Sequence, residues 1–306
     1  MAGRIARLLL TSPTGSSLQP GRFRQAIVSL LLITAALLSG GCSSVFFYPD
    51  NVTYITPDRL NLEYEDIYLD TPDGERLHGW WLPAANDNAP VKGTIYYLHG
   101  NAQNISSHLL NVAWLPAEGY NVFTIDYRGY GKSSGAPDLE GALHDVETGL
   151  RWLGAKNGVS DRPLYLLGQS LGGGLGIALA SEWVKREEQP ALNGVVLDST
   201  FSGFRLIARE KLGSFWLTWP FQIPLSWTIP DDYEGIDRIP EISPTPVMII
   251  HSARDGIIPY HHGVALYGAA KEPKTFLKTD TPHAATFVIP AYKGEVLEFL
   301  EKRSEK

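Results

Sequence analysis

The sequence predicts an α/β fold: a mostly parallel central sheet, helices on both faces and an antiparallel hairpin at the N-terminal end. Two observations predict the parallel sheet. Short apolar runs bounded by turn residues recur as "GTIYYLHG", "NVFTIDY", "PLYLLG", "NGVVLDS" and "PVMIIHS", the pattern of strands buried on both faces. The intervals between them are long enough for the crossover helices that parallel neighbours require. A third observation predicts the hairpin. In "YEDIYLDTPDGERLHGWWLP" two alternating runs flank Thr71-Pro72-Asp73-Gly74, which carries turn chemistry. With 306 residues, 44% hydrophobic and 19% charged, the chain can bury a sizeable core.

Taken in order, the N-terminus does not belong to that fold. Arg22 and Arg24 precede an apolar run from Ala26 to Leu38, and small residues follow up to Cys42. The run lies within the roughly 7–15 residues of a signal-peptide core and falls short of the ~20 of a membrane span. "LSGGC", ending at Cys42, resembles the lipobox of bacterial lipoproteins. That resemblance implies removal of residues 1–41 and a lipid carried on Cys42; the alternative is a plain N-terminal anchor helix with an incidental cysteine. Ser43 is not the aspartate that favours inner-membrane retention, so the expected site is the outer membrane, facing the periplasm. Residues 42–60 read as a lipidated tether and N-terminal arm, and 61–306 as the folded domain.

Within the domain, the hairpin and the loop "AANDNAP" come first, and the strand–helix alternation follows. Leu139, Ala142, Leu143, Val146, Leu150 and Leu153 form one stripe at helical spacing. A second helix continues from "GQS" through "GIALASEWVK", "KTFLKTD" reads as the last strand, and "PAYKGEVLEFLEKR" opens with Pro290 as a closing helix. One segment breaks the alternation. Residues 201–230 crowd Phe215, Trp216, Trp219, Phe221 and Trp227 among prolines. They are too broken for one helix and read either as a packed helical excursion between strands or as a cap or rim that supplies apolar walls to a pocket.

The chemistry centres on Gly168-Gln169-Ser170-Leu171-Gly172, a G-x-S-x-G between a strand and a helix. The tight bend requires small neighbours and presents the Ser170 hydroxyl at the carboxyl end of the sheet, where open α/β folds bind ligands. A serine needs a base. His251, His261, His262 and His283 lie downstream, and His283, in a loop after the last strand, is the candidate. Two acids could orient it, Asp255 in "IIHSARDGIIP" and Asp198 in "VVLDSTF". The Asp255-Gly256 turn favours Asp255. Oxyanion donors are expected at the backbone N–H groups of Asn101, after the strand "TIYYL", and of Leu171. His99 reads as structural.

The set "YLHGNAQN", "DYRGYGKSSG", "GQSLGG", "HSARDGIIP" and "PHAATF" resembles the α/β-hydrolase superfamily, and within it the small serine hydrolases related to bud-emergence-suppressor and monoglyceride-lipase-like proteins. The resemblance spans roughly Leu62 to Leu300. It implies a triad of Ser170, Asp255 and His283, an oxyanion hole at Asn101 and Leu171, and a scaffold role for the loop Asp126–Gly131. Ser252 replaces a glycine after His251, and Pro282 a glycine before His283.

These readings imply a membrane-tethered hydrolase acting on a small acyl ester or thioester. The alternatives are a peptidase of the same fold and a non-catalytic lipoprotein scaffold. A net charge of -7 with no basic stripe argues against nucleic acid. The single cysteine forms no intrachain disulfide. No H-E-x-x-H, phosphate loop or dinucleotide fingerprint is present, so no cofactor and no metal are expected. The sequons at Asn51 and Asn104 have no bearing in a bacterial lipoprotein.

Overall fold

The computed structural model describes residues 47–85, 90–187 and 189–304. The predicted signal segment and Cys42 lie outside them. The hairpin is formed by β2 (Glu65–Asp70) and β3 (Arg76–Leu82), after a two-residue strand β1 (Tyr48–Pro49). Its turn closes with Gly74 N–H donating to Thr71 O at 3.0 Å. The apolar runs become β4 (Gly93–Leu98), β6 (Tyr120–Ile125), β7 (Leu164–Gln169), β8 (Leu192–Asp198) and β9 (Val247–Ser252), with β10 (Lys274–Thr279) last. β5 is the short Ala102–Gln103, which pairs in parallel with β1. The main sheet runs β10-β9-β8-β7-β4-β6-β3-β2. β3 runs antiparallel to both β2 and β6, and the other adjacent pairs of this sheet are parallel.

The strands β4, β6 and β7 are buried throughout, as two-sided coverage demands. Tyr96 and Leu98 of β4 enter one core, and Ile95 and Tyr97 the other, by the period-two alternation of a strand. Helices α1 (Leu139–Ala155) and α2 (Leu171–Lys185) cover the first face. Helix α1 begins where Asp138 accepts the Gly141 N–H at 2.9 Å, an N-cap, and its buried side is the stripe read from the sequence. The closing helix α6 (Pro290–Ser304) covers the other face with Val296, Phe299 and Leu300.

The excursion after β8 contains α3 (Phe204–Gly213), a 3-10 turn and α4 (Gln222–Ser226). Helix α5 (His261–Ala269) lies between β9 and β10. The loop after β6 is scaffold. Its Arg128 reaches Asp145 of α1 at 2.8 Å and Asp73 of the hairpin turn at 2.7 Å. Burial raises the Asp145 carboxyl, so Arg128 supplies the charge it needs and ties the hairpin to the first helical layer. Among the described residues no helix is long and apolar enough to cross a membrane.

Candidate active site

β7 ends at Gln169, and α2 starts at Leu171, so Ser170 alone makes the turn from strand to helix. It does so at φ 53 and ψ −114, a conformation unfavourable for a side-chain-bearing residue and held by its surroundings. Its N–H donates to Asp198 O at 2.9 Å, and its carbonyl accepts the Thr200 hydroxyl at 2.7 Å. Gly168 permits the bend, because a Cβ there would lie 2.5 Å from the Gly172 carbonyl oxygen.

The structure brings Ser170, His283 and Asp255 together. Asp255 Oδ2 accepts a hydrogen bond from His283 Nδ1 at 2.7 Å, and His283 Nε2 faces Ser170 Oγ at 3.1 Å. An ionised carboxylate only accepts, which assigns the proton to Nδ1 and leaves Nε2 to receive one from the serine. Asp255 Oδ1 accepts the N–H groups of Ile257 and Ile258, each at 2.8 Å, so both oxygens of this buried carboxylate are engaged. Burial acts to raise Asp255. The His283 hydrogen bond and charge, with the two backbone donors, carry it below the usual carboxylate range.

Asp198 has a different place. Its Oδ2 accepts from Gln169 Nε2 at 2.9 Å, and its Oδ1 from the hydroxyls of Thr286 at 2.8 Å and Ser199 at 3.1 Å. Burial pushes this carboxyl above the usual range. Gln169 also reaches Ala284 O, and Ala284 N–H reaches Ser199 Oγ, both at 3.3 Å. Asp198, Gln169, Ser199 and Thr286 therefore hold the His283 loop from beneath. No hydrogen bond joins Asp198 to His283 among the described residues. Ser252 holds the same loop from the other side: its hydroxyl donates to Thr281 O and accepts the Arg254 N–H at 3.0 Å. Ser252 thus couples the acid loop to the histidine loop.

The remaining histidines do not join this path of hydrogen bonds, although His251 Nε2 lies 3.9 Å from Asp255 Oδ2. His251 is buried, donates from Nε2 to Ile258 O at 3.0 Å, and is held below its ordinary pKa by desolvation. His99 donates to Gly100 O at 2.7 Å and stacks on Tyr127 with ring centres 4.2 Å apart. Burial keeps it neutral. His108, which the sequence reading passed over, packs against this loop and donates to Ala102 O at 2.9 Å.

Leu171 is the first residue of α2, where a backbone N–H has no intrahelical acceptor. Asn101 follows Gly100, whose Cβ position would lie 3.7 Å from Ser170 Cβ, so the loop after β4 rests against the serine. The Asn101 backbone is fixed by the Tyr130 hydroxyl, which donates to its carbonyl at 2.8 Å.

Glu210 of α3 with His261 and His262 of α5 is a group of potential metal ligands among the described residues. Its hydrogen bonding opposes that use. His262 Nδ1 accepts the Ser202 N–H at 3.1 Å, so its proton sits on Nε2, directed at Glu210 Oε2 3.1 Å away. A metal at Nε2 would need that lone pair. The group is a brace between the excursion and α5.

Comparison with known proteins finds relatives of the same fold. A family model described as "Serine aminopeptidase, S33" matches residues 89–232. The chain is 37% identical to the uncharacterized protein YfhR of Salmonella typhi, over 81% of this chain and 82% of that one. It is 31% identical to the alpha/beta hydrolase domain-containing protein WAV2 of Arabidopsis thaliana, over 81% and 82%. It is 30% identical to protein bem46 of Schizosaccharomyces pombe, over 72% and 70%. A structure of the Pyrococcus furiosus esterase Pf2001 superposes with a TM-score of 0.67 at 25% identity, covering 85% of this chain and 98% of that one.

Proposed function

We propose that this chain, which belongs to the α/β-hydrolase superfamily and is an esterase-like serine hydrolase, cleaves an acyl ester or thioester through a covalent intermediate on Ser170. The observation that carries this reading is the continuous hydrogen-bonded path from Ser170 through His283 to Asp255. As Ser170 Oγ attacks the acyl carbonyl carbon, its proton passes to His283 Nε2. Asp255 keeps the Nδ1 proton in place and stabilises the imidazolium. The backbone N–H groups of Leu171 and Asn101 receive the developing oxyanion. The intermediate collapses, the acyl–oxygen or acyl–sulfur bond to the leaving group breaks, and His283 returns the proton to that group. Water then repeats the sequence and frees the acid and the serine.

A fluorophosphonate probe reports the first step without requiring the natural substrate. The parent chain is expected to be labelled stoichiometrically and Ser170→Ala not at all. Undiminished labelling of the alanine variant would exclude Ser170 as the nucleophile. Amide cleavage is the second reading, favoured by the description of the matching family model. Esters of rising chain length beside aminoacyl amides separate the two.

The same reading holds the chain at a membrane through lipid on Cys42, supported by the basic, apolar and small-residue order that precedes it. One acyl chain anchors only marginally, so several are expected on the mature cysteine. Metabolic palmitate should label the parent and not Cys42→Ser. Equal labelling of both would refute the anchor.

A further inference from the structure

The excursion after β8 does not wall a pocket with its aromatic residues. It turns them outward. Trp216 is 78% exposed, Trp227 66% and Trp219 59%, with Phe215 and Phe221 exposed beside them. From Leu212 to Pro230 there is no charged side chain. Large apolar side chains exposed together along one uncharged segment mark a contact site.

We propose that this surface docks into the headgroup region of a phospholipid bilayer. The first argument is chemical. Indole rings combine an apolar body with a polar N–H and concentrate where lipid meets water. Three exposed tryptophans in an uncharged segment suit burial of about 5–10 Å into that boundary.

The second argument is positional. The excursion leaves the carboxyl end of β8. The chain enters the domain at Phe47, which packs against Tyr130, and continues into β1. β1 pairs with β5, which follows the carboxyl end of β4. β4, β7 and β8 are parallel, so entry point and excursion share one edge of the sheet.

The third argument is distance. Four residues, Ser43 to Phe46, separate Cys42 from Phe47, a span of about 18 Å even fully extended. A chain held through Cys42 has its entry edge, and with it the edge that carries the excursion, close to the lipid. A second copy of the chain could cover the same aromatics, but nothing in the entry geometry would direct it there.

The test uses the full chain with phosphatidylcholine vesicles whose lipids carry bromine near the headgroup or near the chain ends. Among the eight tryptophans, Trp80, Trp81 and Trp183 are buried, and Trp114 and Trp152 pack against the cores. Quenching therefore reports Trp216, Trp219 and Trp227. Headgroup-proximal bromine is expected to quench more strongly than chain-end bromine. The triple variant Trp216→Ser, Trp219→Ser, Trp227→Ser should lose that quenching and keep parent turnover of a water-soluble ester.

Vesicle-bound protein with unquenched tryptophans would overturn the docking and leave the anchor standing. Cys42→Ser protein that is still quenched by the vesicles would support the docking without the anchor. Tryptophans shielded from aqueous acrylamide in a concentration-dependent dimer, and untouched by brominated lipid, would assign the surface to a second copy and overturn the proposal.

Discussion

Asp255→Asn is expected to lower turnover by roughly 10⁴-fold while the protein melts close to its parent temperature. Asparagine keeps the oxygen that accepts from Ile257 and Ile258, but its amide cannot both stay isosteric and accept the His283 Nδ1 proton. The imidazole then shifts its proton to Nε2, the atom that must take the proton from Ser170. Asp198→Asn is the control that separates the two acids. An amide there either turns its NH2 to Gln169 Nε2, which can only donate, or turns it to the Thr286 and Ser199 hydroxyls, which must reverse to accept, and in both cases the charge-assisted bonds to the carboxylate are lost. That variant should lose about 1–3 kcal/mol of stability, with a smaller loss of turnover. Steady-state kinetics beside thermal unfolding on both variants decide the matter. A crippled Asp198→Asn next to an active Asp255→Asn would reverse the assignment.

Gly172→Val should abolish cooperative folding. A Cβ at this position would sit 2.1 Å from Leu98 O and 2.6 Å from His99 O. Both obstacles are backbone, and both belong to the end of β4, whose Leu98 is in register with Gly168 of β7. The helix cannot retreat without pulling β7 out of register, and the added branch enlarges the collision. A loss beyond about 4–5 kcal/mol is expected, the range reached by severe core disruption. Gly268→Ala in α5 is the contrast. A Cβ there meets nothing within 4 Å, and alanine should raise stability by up to about 1 kcal/mol through helix propensity. Soluble yield and thermal unfolding check both. A Gly172→Val protein that melted like its parent would show that the elbow tolerates a side chain.

The central sheet was legible because β4, β6 and β7 are buried on both faces and read as unbroken apolar runs. β1 and β5 were not, because two residues are too few to display a period. Ser170, Asp255 and His283 could be picked out from the ends of successive strands in chain order. Their supports could not. Gln169, Ser252, Thr286 and Ser199 act through partners distant in sequence, and only the proximity of Gln169 to Ser170 offered a hint. The excursion was recognisable by its broken, proline-rich pattern. Its aromatic content suggested inward-facing walls, whereas the side chains face outward, and composition does not record direction.

The excursion also has a stapled neck. Ile236 N–H donates to Ser202 O at 2.6 Å, and Glu234 accepts the Arg205 N–H at 2.7 Å. The excursion therefore closes on itself just beyond the strand that precedes Thr200, and only after Ile236 does the chain cross to the amino end of the parallel strand that leads to Asp255. Ser170, Asp255 and His283 all lie outside this interval. A module closed at its base can be lengthened, shortened or exchanged with a free-energy cost that grows only slowly with its length, and the reacting groups keep their spacing. The fold is in that sense a socket. New surfaces can be grafted at one site by recombination of a single segment, and such chimaeras should inherit the chemistry of the parent sheet.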